Sequence, residues 1–77
     1  MLRRLTQLED MITPSSISQD DKSKILALLD EVRLEYISAK ISYRFTKLYN
    51  NLRVEILQYE KEEPFLLKKI NELSALL

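Results

Sequence analysis

The chain is 77 residues long, carries 12 basic and 12 acidic residues for a formal net charge of zero, and contains no histidine, cysteine or glycine. This length allows one small domain whose core must be well packed or supported from outside. The three absences exclude imidazole acid–base and metal chemistry, thiolate nucleophiles, a disulfide framework, and the glycine loops that cradle phosphates.

The 45% apolar and 31% charged content is that of a chain able to fold rather than of a disordered tail. No apolar run approaches the roughly 18 residues needed to span a membrane. Arg3 and Arg4 run into Glu9 and Asp10 without an apolar stretch between, so no secretory signal is expected and a cytoplasmic location is the default.

Residues 2–12 place Leu2, Leu5, Leu8 and Met11 or Ile12 at spacings of three and four, one apolar stripe opposed by Arg3, Arg4, Gln7 and Asp10. The spacing predicts a short helix, which Thr13-Pro14 ends because the residue before proline is pushed out of the helical region. Ser18 then precedes Asp20 and Asp21. A serine that can cap backbone N–H groups, followed by acids near the positive end of the dipole, predicts a helix start.

From there to Glu63 neither proline nor glycine interrupts the chain. The pattern predicts a long or kinked helix over 19–62, which as one rod would measure about 67 Å. Its early stripe is Ile25, Leu28, Leu29, Val32, Tyr36, Ala39 and Tyr43, and its later stripe is Leu34, Ile37, Ile41, Phe45, Leu48, Leu52, Ile56 and Tyr59. The two stripes lie about 180° apart, so Leu34–Phe45 is apolar on both sides and is expected to be covered on both. The same stretch also alternates, with Ile37, Ala39, Ile41, Tyr43 and Phe45 against Ser38, Lys40, Ser42, Arg44 and Thr46. This fits the alternative of an α+β fold with a β-hairpin at 37–58 turning at Asn50-Asn51.

Pro64 suits a first helical position, and Phe65, Leu66, Leu67, Ile70, Leu73, Leu76 and Leu77 make a strongly apolar helix over 64–77. The fold class expected is therefore all-α, a single domain of three helices with a long central one. Two short helices cover only part of a long one, so self-association or a protein partner is expected. The expected contact surface is Leu48, Leu52, Ile56 and Tyr59 with Leu66, Ile70, Leu73 and Leu77.

Charge is unevenly spread. Arg33, Lys40, Arg44, Lys47 and Arg53 face one acid, Glu35, a net of +4 over 33–53, whereas 55–63 holds Glu55, Glu60, Glu62 and Glu63 against Lys61, a net of −3. On a helix Arg33, Lys40, Arg44 and Lys47 share one sector bordered by Tyr36 and Tyr43, a row that suits a phosphate backbone with bases stacked beside it. Neither Asp20/Asp21 nor Glu60/Glu62/Glu63 has calcium-loop spacing, so the acids are read as helix-start residues, with no metal, cofactor, catalytic residue or small-molecule substrate implied. The function expected is a non-catalytic accessory subunit of a larger assembly. The alternative is a nucleic-acid-associated factor, for example in DNA replication or chromosome maintenance, working through the basic row.

Overall fold

The computed structural model describes all 77 residues, Met1–Leu77. It is all-helical, with α1 at Leu2–Ile12, α2 at Gln19–Ala39, α3 at Tyr43–Leu57 and α4 at Pro64–Ser74. The 21 residues of α2 rise about 31 Å, which accounts for the 32 Å long axis of a molecule 22 and 20 Å across.

The starts of α2 and α4 follow the sequence. Ser18 caps α2 by accepting from the Asp21 N–H, and Asp20 and Asp21 occupy its first turn. Pro64 opens α4 at the position where a missing N–H costs nothing. The long central helix is not formed. Four helices replace three because 19–62 divides at Lys40–Ser42 and again ends at Leu57, and 37–58 contains no strand. The last helix also stops at Ser74 instead of running to 77.

The break at Lys40 is made without glycine or proline. Lys40 takes φ 56° and ψ −141°, the one positive φ in the chain. Its N–H still donates to the Tyr36 carbonyl, closing α2, while the Ser42 N–H donates to the Lys40 carbonyl across the corner. Ser42 then caps α3, its hydroxyl oxygen accepting from the Phe45 N–H at 3.0 Å and its carbonyl from the Thr46 N–H at 3.1 Å. The first bond satisfies a donor that a bare helix start leaves open, and the second is the first regular bond of α3. The Ser42 hydroxyl also donates to Glu35 at 3.1 Å. A tilted Tyr36–Phe45 ring pair with centroids 5.7 Å apart locks the two sides of the corner together.

The helices form a ring. α2 packs on α1 and α3, and α4 packs on α1 and α3, with no packing across the diagonals. Cross-links set the directions. Lys24 meets Glu55 and Tyr36 meets Phe45, so α2 and α3 run antiparallel. Tyr49 reaches the Ile70 carbonyl and Arg53 reaches Asn71 across the α3–α4 hairpin, and Lys69 reaches Gln7 between α4 and α1. The result is an up-down-up-down bundle.

Fourteen apolar side chains fill its centre, with Phe45 and Tyr49 the largest fully enclosed, and no charged group is buried. The Tyr49 hydroxyl donates to the Ile70 carbonyl. That bond satisfies a phenol whose burial pushes its pKa well above the usual value. The core draws α2 residues Ile25, Leu29 and Val32 and α3 residues Phe45, Tyr49, Leu52 and Ile56. The two stripes of the sequence thus face one core from two helices, not two cores from one. The expectation of double cover over 34–45 fails: Leu34, Ile37 and Ile41 are 65%, 57% and 46% exposed.

A non-glycine residue in this region of φ/ψ space costs on the order of 1–3 kcal/mol. Lys40→Gly is therefore expected to raise stability by about 1 kcal/mol in urea denaturation, after the extra flexibility glycine gives the unfolded chain. A loss of about 1 kcal/mol, the usual effect of glycine inside a helix, would contradict the break.

Candidate functional site

Two regions of the surface carry chemistry, and they lie at opposite ends of α3. The first is the corner between α2 and α3. At about 100° per residue, Leu34 and Ile37 point away from Val32 and Tyr36, which face the core. They therefore stand on the outer side of the last turns of α2. Ile41 follows in the corner itself, and Tyr43, the first residue of α3, is 88% exposed.

The cations predicted to form one row are not equivalent here. Arg33 is held between Glu9 of α1 and Asp30 one turn earlier, the latter at 3.1 Å, so its charge is already matched. Arg44 lies 3.7 Å from Glu35 while three-quarters exposed, a pairing worth less than about 1 kcal/mol. Lys40 sits over the Tyr36 ring, 5.1 Å from its centroid. Lys47 has no ion-pair partner. The helix break thus separates Arg33 from the others and gathers Lys40, Arg44 and Lys47 about the corner. The tyrosines part as well: Tyr36 packs on Phe45, and Tyr43 faces outward.

Beside the corner, Tyr43, Arg44, Lys47, Leu48 and Asn51 line an open depression of about 350 Å³. It has two cations, one amide, one aromatic ring and no carboxylate. A smaller one of about 180 Å³ lies between α1 and α4, lined by Met11, Phe65, Lys68, Lys69 and Glu72.

The predicted contact surface is mostly interior. Leu52, Ile56, Leu66, Ile70 and Leu73 are enclosed in the chain's own core, and Leu48 and Tyr59 pack partly against it. Leu77 is exposed. The exposed apolar residues include instead Leu34, Ile37, Ile41 and Tyr43, which the stripe count had assigned to covered faces. Their signal was the phase change itself, once it is read as the end of a helix.

The second region is the opposite end, where the loop 13–18 meets the loop 58–63. The Glu63 carboxylate accepts from the Ser16 N–H at 2.8 Å and the Ser16 hydroxyl at 2.9 Å. Lys22 donates to the Thr13 and Ser15 carbonyls at 2.9 and 3.0 Å. Asp21 and the Tyr59 phenol neighbour each other across the two segments and perturb each other's titration. These contacts favour charged carboxylates and a neutral phenol. Tyr59 and Ser18 hold Asp21 below the ordinary carboxylate range, and Ser16 does the same for Glu63. The neighbouring Asp21 pushes Tyr59 up to about 12. Glu60 and Glu62 project from the same loop, with Leu57 48% and Phe65 70% exposed beside them. No three carboxylates converge as metal ligands do.

No protein-family model, curated protein or solved structure matches the chain.

The loop-to-loop bonds set a pH window. Carboxyls depressed in the folded state stabilise it above their ordinary pKa near about 4, and that contribution is lost as pH falls through the lower folded values. A phenol raised to about 12 contributes below its ordinary value near about 10 and loses that contribution as pH rises through the folded one. The urea midpoint is therefore expected to be level from about pH 5 to 9 and to fall on both sides. Glu63→Gln should make the acid limb shallower, and an unchanged limb would contradict its role.

Proposed function

We propose that this chain is a non-catalytic interaction module, an intracellular accessory subunit that docks on a protein partner through the α2–α3 corner. One observation carries the reading: Leu34 and Ile37 stand 65% and 57% exposed one turn apart, continuous along the chain with Ile41 and Tyr43. The core is already closed without them. Large aliphatic side chains on an outer helix face gain about 1.5–3 kcal/mol each when fully covered. An exposed tyrosine beside cations is also typical of the anchors that dominate interface energies.

The apolar corner covers only on the order of a few hundred Å², less than the roughly 800 Å² per partner of a stable interface. A partner must therefore also engage the flanking Lys40, Arg44 and Lys47. A second reading, a nucleic-acid-associated factor, is favoured by the carboxylate-free depression at Tyr43, Arg44, Lys47 and Asn51. Arg33 does not support it, being matched by Glu9 and Asp30.

The test is size fractionation of native cell extract with detection of the chain. The wild type is expected in an assembly well above its own 9.1 kDa. Leu34→Asp with Ile37→Asp should shift it to monomer size while the purified variant keeps its helical circular dichroism, since exposed sites tolerate such changes to within about 0.5 kcal/mol. A wild type already at monomer size would overturn the proposal. An assembly that collapses on nuclease treatment would favour the second reading.

A further inference from the structure

The two ends of the bundle are complementary to each other. At the α2–α3 corner, Lys40, Arg44 and Lys47 surround exposed Ile37, Ile41 and Tyr43, with Glu35 the acid facing them. At the other end, about 22 Å away along the 15 residues of α3, Glu60 and Glu62, with Lys61 between them, follow exposed Leu57, and exposed Phe65 lies beside Lys68 and Lys69. Both ends therefore expose apolar side chains beside charge, with cations in excess over Glu35 at the corner and the loop acids Glu60 and Glu62 in excess over Lys61. Glu60, Glu62, Lys40 and Lys47 make no ion pair within the chain. Glu60, Glu62 and Lys47 stand free to meet a charge from outside, and Lys40, resting on the Tyr36 ring, has no carboxylate to leave.

We infer that copies of this chain associate head to tail, the cationic corner of one seating on the acidic α3–α4 loop of the next. The inference deepens the interaction-module reading by naming the partner as a second copy, and it rests on that reading. A corner-to-corner dimer would set Lys40 and Lys47 against their own equivalents, and a loop-to-loop dimer would oppose Glu60 and Glu62 in the same way. Like charges face to face are penalised. Only the heterologous arrangement matches both ends, and such a contact repeats into rings or open chains rather than stopping at a pair.

The experiment uses purified full-length chain in sedimentation velocity. The wild type is expected to show a mass that climbs with concentration at low salt. It should fall toward the monomer at about 1 M salt, where the screening length is about 3 Å. Lys40→Glu with Lys47→Glu reverses the corner, and Glu60→Lys with Glu62→Lys reverses the loop. None of these four side chains is buried or ion-paired within the chain, Lys40 touching only the Tyr36 ring, and circular dichroism checks that both variants keep their helices. Each variant alone should associate at least about tenfold more weakly than the wild type. An equimolar mixture of the two should recover association, since each then meets an opposite charge.

A wild type that remains monomeric at low salt and high micromolar concentration overturns the inference. So does a loop-reversed variant that associates like the wild type, which would place the contact corner to corner, or a mixture that fails to recover. Because no other protein is present, such a failure is separate from failure of the interaction-module reading, which the size of the assembly in native extract decides.

Discussion

Everything in this fold depends on one backbone corner made without glycine. Lys40 turns the chain at φ 56°, and Ser42 at once caps the helix that follows. Helix propensity favours no stop here, since Ala39, Lys40 and Arg44 are all good helix formers. What opposes continuation is burial. In one rod Val32 and Leu52 would face different ways and could not share a core. Folding the rod back brings Ile25, Leu29 and Val32 against Phe45, Tyr49, Leu52 and Ile56, all of them fully enclosed. At about 1.5–3 kcal/mol for each large apolar side chain, that burial outweighs a strained corner costing about 1–3 kcal/mol.

The same corner decides what is left outside. Because α2 spends its inner face on α1 and α3, the residues on its outer side have nothing to cover them. Leu34 and Ile37 are exposed for that reason. The break also reorders the charges, leaving Arg33 beside Glu9 on α1 while Lys40, Arg44 and Lys47 gather at the turn. The acidic loop is placed at the far end by the length of α3. Charge polarity and exposed apolar surface are thus consequences of where the chain turns, and the proposed contacts follow from both.

Much of the fold was legible in the sequence. The first helix ends at Ile12 ahead of Thr13-Pro14, the second begins after the Ser18 cap, and the last begins at Pro64, because each boundary has a local cause in side-chain or proline chemistry. The division at Lys40 has none. Ser42 caps α3 with Phe45 three residues on instead of the glutamate of a capping box, and no glycine marks the positive φ. The 180° phase change between stripes was the remaining signal. It fits a helix covered on both sides as well as two helices sharing one core, and the chain takes the second. The candidate site was less legible. Leu52, Ile56, Leu66, Ile70 and Leu73 looked surplus to a three-helix domain, but four helices enclose them. Arg33 looked free in a count of charges, although Asp30 stands one turn before it; its other partner, Glu9, lies 24 residues away, beyond the reach of local pattern.

The distance between positions 24 and 55 tests the turn most directly. Lys24 and Glu55 form an ion pair at 3.4 Å across α2 and α3. In a continuous helix the separation of 31 positions would span about 46 Å. The chain has no native cysteine, so Lys24→Cys with Glu55→Cys accepts spin labels at those sites alone. Pulsed electron resonance on labelled chain diluted in unlabelled protein then reads the intramolecular separation. The fold described above requires a distribution below about 20 Å, allowing for the label arms on an antiparallel helix pair about 8–10 Å apart. A distribution centred near 46 Å would contradict it.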